Sequence, residues 1–144
     1  MKNIILATAL VALSTASFAG GNRDKKLLYD LQTTLSYSRQ VQWTSTSNYS
    51  QASFSFNGKS VSAYYLNDNS LVGFGIRSSQ SELPKEVSGA ISKKYGNWTI
   101  IDAMLFIEAN GDVYYYVQVR RGRTNLALQI ANGQAYIFTR MLSE

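Results

Sequence analysis

Hydrophobic residues recur every three to four positions in two short stretches of this chain, and at every second position through most of the rest. Leu27, Leu28, Leu31 and Leu35 share one face of a helix predicted from Asp24 to about Tyr37, with Asn22 or Asp24 placed to cap its start. From Arg39 the period changes to two. Val41 and Trp43, followed by alternating Thr and Ser, read as a half-buried strand, and Ala52 to Phe56 alternates strictly. Asn57-Gly58 signals a tight hairpin, because a two-residue turn of this kind needs positive φ at both positions. Ser60 to Leu66 reads as a strand, Asn67 to Ser70 as a turn and Leu71 to Arg77 as a further strand. A polar linker, Ser78 to Leu83, leads to Pro84, the only proline, which a first helical turn accepts. Val87, Ala90, Ile91 and Tyr95 form the stripe of this second helix. Ser81 is placed to cap it, Glu82 and Glu86 sit near its start, Lys93 and Lys94 in its last turn, and Gly96-Asn97 stop it. Four strands follow, Trp98 to Ala109, Val113 to Arg120, Thr124 to Ile130 and Gln134 to Arg140, turned at Asn110-Gly111, Arg121-Gly122 and Asn132-Gly133.

A helix followed by short strands therefore occurs twice. Leu27, Leu31 and Leu35 correspond in spacing to Val87, Ile91 and Tyr95; Asn57-Gly58-Lys59 to Arg121-Gly122-Arg123; Ala63, Val72 and Phe74 to Ala127, Tyr136 and Phe138. The fold class this predicts is α+β: two tandem helix-plus-antiparallel-meander repeats, residues 22–78 and 82–141, with both helices on one face of a curved sheet that would otherwise expose an apolar side. The two repeats would make one domain, residues 20–144.

The first residues carry the pattern of an export signal, residues 1–19: Lys2, an apolar run from Ile4 to Leu13, and Ser17-Phe18-Ala19 as a small-x-small cleavage site. A mature start at Gly20 or Gly21 and a periplasmic or extracellular bacterial address are expected. No later run reaches the roughly 20 apolar residues of a membrane helix. The chain has no Cys and no His, which removes thiol chemistry, disulfide frameworks, zinc sites of the usual kind and the commonest general base. No Asp-rich calcium loop is present, and no cofactor or metal is expected. A formal net charge of +5 favours acidic partners without naming one. The densest basic run, Arg120-Arg121-Gly122-Arg123, reads as a solvated hairpin tip.

Catalysis finds little support. Asp102 and Glu108 share a strand face but lie about 20 Å apart at the usual strand rise, too far for a carboxylate pair, and Asp112 is a turn residue beside Asn110-Gly111. Gly73 and Gly75 flank Phe74 without the helix a phosphate loop needs, and mark a bulge or close packing. Asn48-Tyr49-Ser50 and Asn97-Trp98-Thr99 match a glycosylation pattern by chance in a bacterial chain. The aromatics are more informative. Val113, Tyr115, Val117 and Val119 read as the helix-covered face of one strand. Tyr114, Tyr116, Gln118 and Arg120 read as an open face, extended by Met104 and Phe106 on the preceding strand and by Tyr65 in the first half. Tyr, Met, Phe and Arg are enriched at protein interfaces. A protein or peptide partner on Tyr114, Tyr116, Arg120, Phe106, Met104 and Tyr65 is the function expected. Nucleic acid is not expected from so modest a charge. A carbohydrate or small-ligand carrier using Trp43 and Trp98, or an envelope assembly component pairing through sheet edges, are the alternatives.

Leu83-Pro84, a helix ending Lys94-Tyr95, Ile100 to Ala103, Asn110-Gly111, Tyr114-Tyr115-Tyr116-Val117 and the late turn Asn132-Gly133 resemble the PepSY-like family, itself described as similar to the β-lactamase inhibitor protein. The resemblance covers about residues 82–140. It implies an exported bacterial module of a kind suspected to bind or inhibit proteins; that the chain is not an enzyme is expected from its residues.

Overall fold

The computed structural model describes residues 22–142; residues 1–19, expected to form an export signal, lie outside them. A two-residue strand β1 (Asn22–Arg23) precedes helix α1 (Lys25–Tyr37). Strands β2 (Gln42–Ser45), β3 (Tyr49–Phe56), β4 (Lys59–Leu66) and β5 (Leu71–Ser78) follow. A 3-10 turn (Gln80–Glu82) and helix α2 (Lys85–Tyr95) then lead into β6 (Thr99–Glu108), β7 (Asp112–Arg121), β8 (Thr124–Ala131) and β9 (Gln134–Leu142).

The capping chemistry explains where the helices start. Asp24 Oδ1 accepts from the Leu27 amide at 2.9 Å, which satisfies one of the first-turn donors that a helix leaves unpaired. Ser81, expected to cap the second helix, does not. Ser79 instead opens the 3-10 turn with a reciprocal Ser79–Glu82 capping box, and Pro84 occupies the position just before α2. Glu82 also pairs with Lys59 at the start of β4, which ties this turn to the sheet. The hairpins at Asn57-Gly58 and Asn132-Gly133 have positive φ at both residues, 50° and 76° in the first and 52° and 72° in the second, as a two-residue turn matched to strand twist requires.

The strands form one continuous antiparallel sheet in chain order from β2 to β9, with β1 added beside β7. This corrects the expectation of two tandem helix-plus-meander repeats. The two halves are hydrogen-bonded to each other directly: β5 pairs with β6 from Gly73↔Glu108 to Ser78↔Ala103. The positions matched as repeats are also out of step. Phe56 pairs with Lys59 around Asn57-Gly58, whereas Arg121 pairs with Thr124 around Gly122-Arg123, so the turns are staggered by one residue. A one-residue stagger sends side chains to the opposite face. Ala63 and Phe74 accordingly pack with α1, while Ala127 sits opposite Gln118 and Phe138 joins the other face.

One face of the sheet carries both helices. Under α1, Leu31 packs on Ala52, Phe54, Val61, Ala63, Phe74 and Ile107. Under α2, Val87, Ala90 and Ile91 pack on Ala103, Val117, Leu126, Leu128 and Ile130. The register Ala103↔Val117 and Ile107↔Val113 places both groups on the same side. Each fully buried Leu, Ile or Phe contributes about 1.5–3 kcal/mol, so this side supplies the larger apolar core. β2, expected to be half-buried, is exposed along its whole length.

On the other face, two glycines let β5 lie flush under the side chains of β6. A Cβ on Gly73 would overlap the Ile107 carbonyl oxygen and lie 2.8 Å from Phe106 Cζ; one on Gly75 would lie 2.5 Å from Met104 Sδ. Gly73→Ala should therefore lower the unfolding free energy by about 1–3 kcal/mol, because backbone cannot move aside. Gly75→Ala meets only a flexible thioether and should cost less, and its cost should shrink further in a Met104→Ala background. Urea denaturation of the single and double variants measures all three effects.

Candidate functional site

The helix-free face is built by alternate residues of successive strands. Register places Gln51 opposite Tyr64, Ser53 opposite Ser62, Tyr64 opposite Gly73, Arg77 opposite Met104, and Met104 and Phe106 opposite Tyr116 and Tyr114. Four of the six residues expected at the site thus meet: Tyr114, Tyr116, Phe106 and Met104 pack in one cluster with Tyr49, Tyr64 and Phe138. Arg120 continues the same strand face, opposite Asn125. Tyr65 does not join them. It faces the helix side, against the α1 core, and stacks on Trp43 with ring centroids 5.8 Å apart. Alternation along β4 puts Tyr65 in phase with Val61 and Ala63, so its neighbour Tyr64 takes the place assigned to it.

The rings make a row across the sheet. Tyr49 lies 6.2 Å from Tyr64, Tyr64 6.1 Å from Phe106, Phe106 5.7 Å from Tyr116, and Tyr116 5.5 Å from Phe138. These tilted and edge-on contacts are the favoured aromatic geometries. β5 contributes glycine to the row, so Phe106 crosses it. β8 contributes Gln129, whose Nε2 donates to the Tyr116 hydroxyl at 3.1 Å. Tyr114 and Tyr116 are each 1% exposed and Phe106 2%. They form a floor rather than a contact surface. The accessible atoms belong to partly exposed Met104 and Arg120, to Arg77, and to Tyr136, which is 48% exposed.

Beside the row lies a polar hollow of about 150 Å³, lined among others by Gln51, Ser53, Ser62, Tyr64, Arg77 and Asp102. Gln51 Nε2 donates to Ser62 Oγ at 2.8 Å. Arg77 Nη2 donates to both Asp102 oxygens at 3.0 and 3.1 Å. Asp102 is therefore held in an ion pair. Glu108 is half-buried, and burial, with the nearby Asp112 charge, raises its pKa. Among the described residues no three acidic side chains converge as a metal site would require. A larger cavity, about 440 Å³, opens on the opposite side between the helices, floored by Leu105, Val113, Tyr115 and Ile130 and walled by Leu27 and Val87. No residue expected at the site lines it.

The two tryptophans do not converge. Trp43 is 62% exposed on the end strand, whereas Trp98 packs edge-on against Tyr95 at 5.8 Å, with the Arg121 guanidinium 4.8 Å from its ring centre. A sugar site built on both is not formed. The basic hairpin tip is exposed at Arg121 and Arg123.

No protein-family model matches the chain, and no curated protein is similar to it in sequence. Its fold is shared with solved structures. A BLIP-like protein from Bacteroides fragilis is 16% identical, with a TM-score of 0.61 over 89% of this chain and 89% of that one. A DUF2874 family protein from Bacteroides uniformis is 15% identical, with a TM-score of 0.63 over 83% of this chain and 88% of that one. A candidate periplasmic protein from Bacteroides eggerthii is 13% identical, with a TM-score of 0.62 over 85% of this chain and 90% of that one. At these identities the likeness is one of fold. It bears out the coarser part of the resemblance, a fold like that of the β-lactamase inhibitor protein; membership of the PepSY-like family is not shown.

Burial sets a pH limit on the floor. It pushes the Tyr64 phenol up to about 12 and raises that of Tyr116, although the Gln129 hydrogen bond opposes the rise. The unfolded chain releases these protons near the ordinary value of 10.0, whereas the folded chain holds them. The stability these two phenols contribute is full below that value and is lost progressively as pH rises through the window between about 10 and 12. An absorbance titration should show tyrosines ionising late, and the melting temperature should fall across that window with a shallower slope in Tyr64→Phe.

Proposed function

We propose that the chain is an exported, non-catalytic binding module that holds a protein or peptide on its helix-free sheet face. The observation that carries this reading is the row of packed rings from Tyr49 to Phe138, edged by the part-exposed side chains Met104, Arg77, Arg120 and Tyr136. Tyr114, Tyr116 and Phe106 act as a rigid floor. A floor that loses little freedom on binding lets most of the contact energy appear as affinity. The fold likeness to a BLIP-like protein supports a protein partner, and the likeness to a candidate periplasmic protein supports an exported address. Among the described residues no helix is long and apolar enough to cross a membrane. Asp102, the acid at the polar hollow, serves an ion pair with Arg77, which favours recognition over acid-base chemistry.

A second reading is a small apolar ligand in the cleft between the helices, favoured by its volume of about 440 Å³ and its apolar floor. The two readings separate experimentally. A partner isolated from a periplasmic extract and titrated against the pure protein should bind at least roughly tenfold more weakly to Tyr136→Ala/Met104→Glu, a loss of about 1.4 kcal/mol or more, and should be indifferent to Glu86→Trp, an exposed position on the cleft wall. Equal affinity for the wild type and the sheet-face variant would refute the binding face.

A further inference from the structure

We propose that the outer edge of β2 pairs with β2 of a second copy of this chain. β2 is an end strand of the sheet, and the direction of its backbone groups can be read from one bond. The Thr46 amide donates inward to the Tyr49 carbonyl at 2.8 Å, and β2 pairs with β3 in continuous register from Gln42↔Ser53 to Ser45↔Ser50. Alternation then turns the amides and carbonyls of Gln42 and Thr44 toward β3, and those of Trp43 and Ser45 outward. An outward row of donors and acceptors is a template for another strand, and natural edges usually guard it with charge, proline or a covering element. Among the described residues this edge has no such guard: β2 is exposed along its length, and residues 40–58 contain no charged side chain and no proline.

The same stretch names the occupant. A chain of net charge +5 repels its own copies over most of its surface, but not here. An exposed ring sits on the strand itself: Trp43 is 62% exposed. The pairing is also self-complementary. A two-fold axis at Thr44 sets Trp43 opposite Ser45 of the second copy, and Ser45 opposite its Trp43, each pair exchanging two backbone hydrogen bonds. The two sheets become one, with both Trp43 rings on the helix side, and the ring-floored face stays open on each copy. Four residues of ladder make a weak dimer, formed in the micromolar to millimolar range.

Sedimentation velocity of the secreted chain across that range tests this. Wild type should pass from monomer to dimer. Ser45→Pro removes an outward amide and spares the bonds to β3, so it should stay monomeric with an unchanged circular dichroism spectrum. Trp43→Lys and Trp43→Glu each alter an exposed side chain; each alone should stay monomeric through like-charge repulsion, and their mixture should dimerise again. A wild type that is monomeric at every concentration overturns the proposal. So does a dimer that persists undiminished in Trp43→Lys alone.

Discussion

The close approach of β5 to β6 is the constraint on which the rest of the molecule depends. Gly73 and Gly75 leave the helix-free side of β5 bare, and Phe106 and Met104 lie across it. Any side chain at Gly73 would collide with the backbone of β6, so the ladder that joins the first four strands after α1 to the last four could not form at its present spacing. The same absence of side chains lets the row of rings continue from Tyr64 to Phe106 over a strand that contributes none. The neighbouring pair, Arg77 and Met104, carries the ladder to the Arg77–Asp102 ion pair at the polar hollow.

The two faces of this one sheet divide the work. The helix side supplies the aliphatic core, held by Leu31 in one half and by Val87, Ala90 and Ile91 in the other. The opposite side is filled by aromatic rings that pack on one another, with Gln129 satisfying the one tyrosine hydroxyl that reaches it. A face stiffened in this way from within offers a preformed surface, which is what recognition needs and what acid-base chemistry, with its requirement for paired groups in a pocket, does not.

The elements were legible in the sequence because each rests on local rules. The helical period and Asp24 located α1, the Lys93-Lys94-Tyr95-Gly96 ending closed α2, and Asn-Gly turns fixed two hairpins. The faces of the strand after Asn110 were legible too, since alternation separates Tyr114 and Tyr116 from Tyr115 and Val117. Three things were not. The tandem repeat was inferred from matching spacings, but a stagger of one residue at the Gly122-Arg123 turn, invisible in composition, reverses which face a matched position occupies. Tyr65 was misplaced for a related reason: in Tyr64-Tyr65 either ring could face the helix-free side, and only the phase set by Val61 and Ala63 decides. Tyr49, Tyr64 and Phe138 were not assigned to the site because they lie on three separate strands, and only pairing across the sheet makes them a row.

The chain folds as one sheet joined at β5 and β6 rather than as two units laid side by side. Native-state hydrogen exchange tests it most directly. The slowest amides of β4, β5, β6 and β7 should exchange with one common free energy, equal to that of global unfolding, because no internal boundary lets one half open alone. Exchange of β3 to β5 through a separate opening of lower energy, with β6 to β8 still protected, would contradict it.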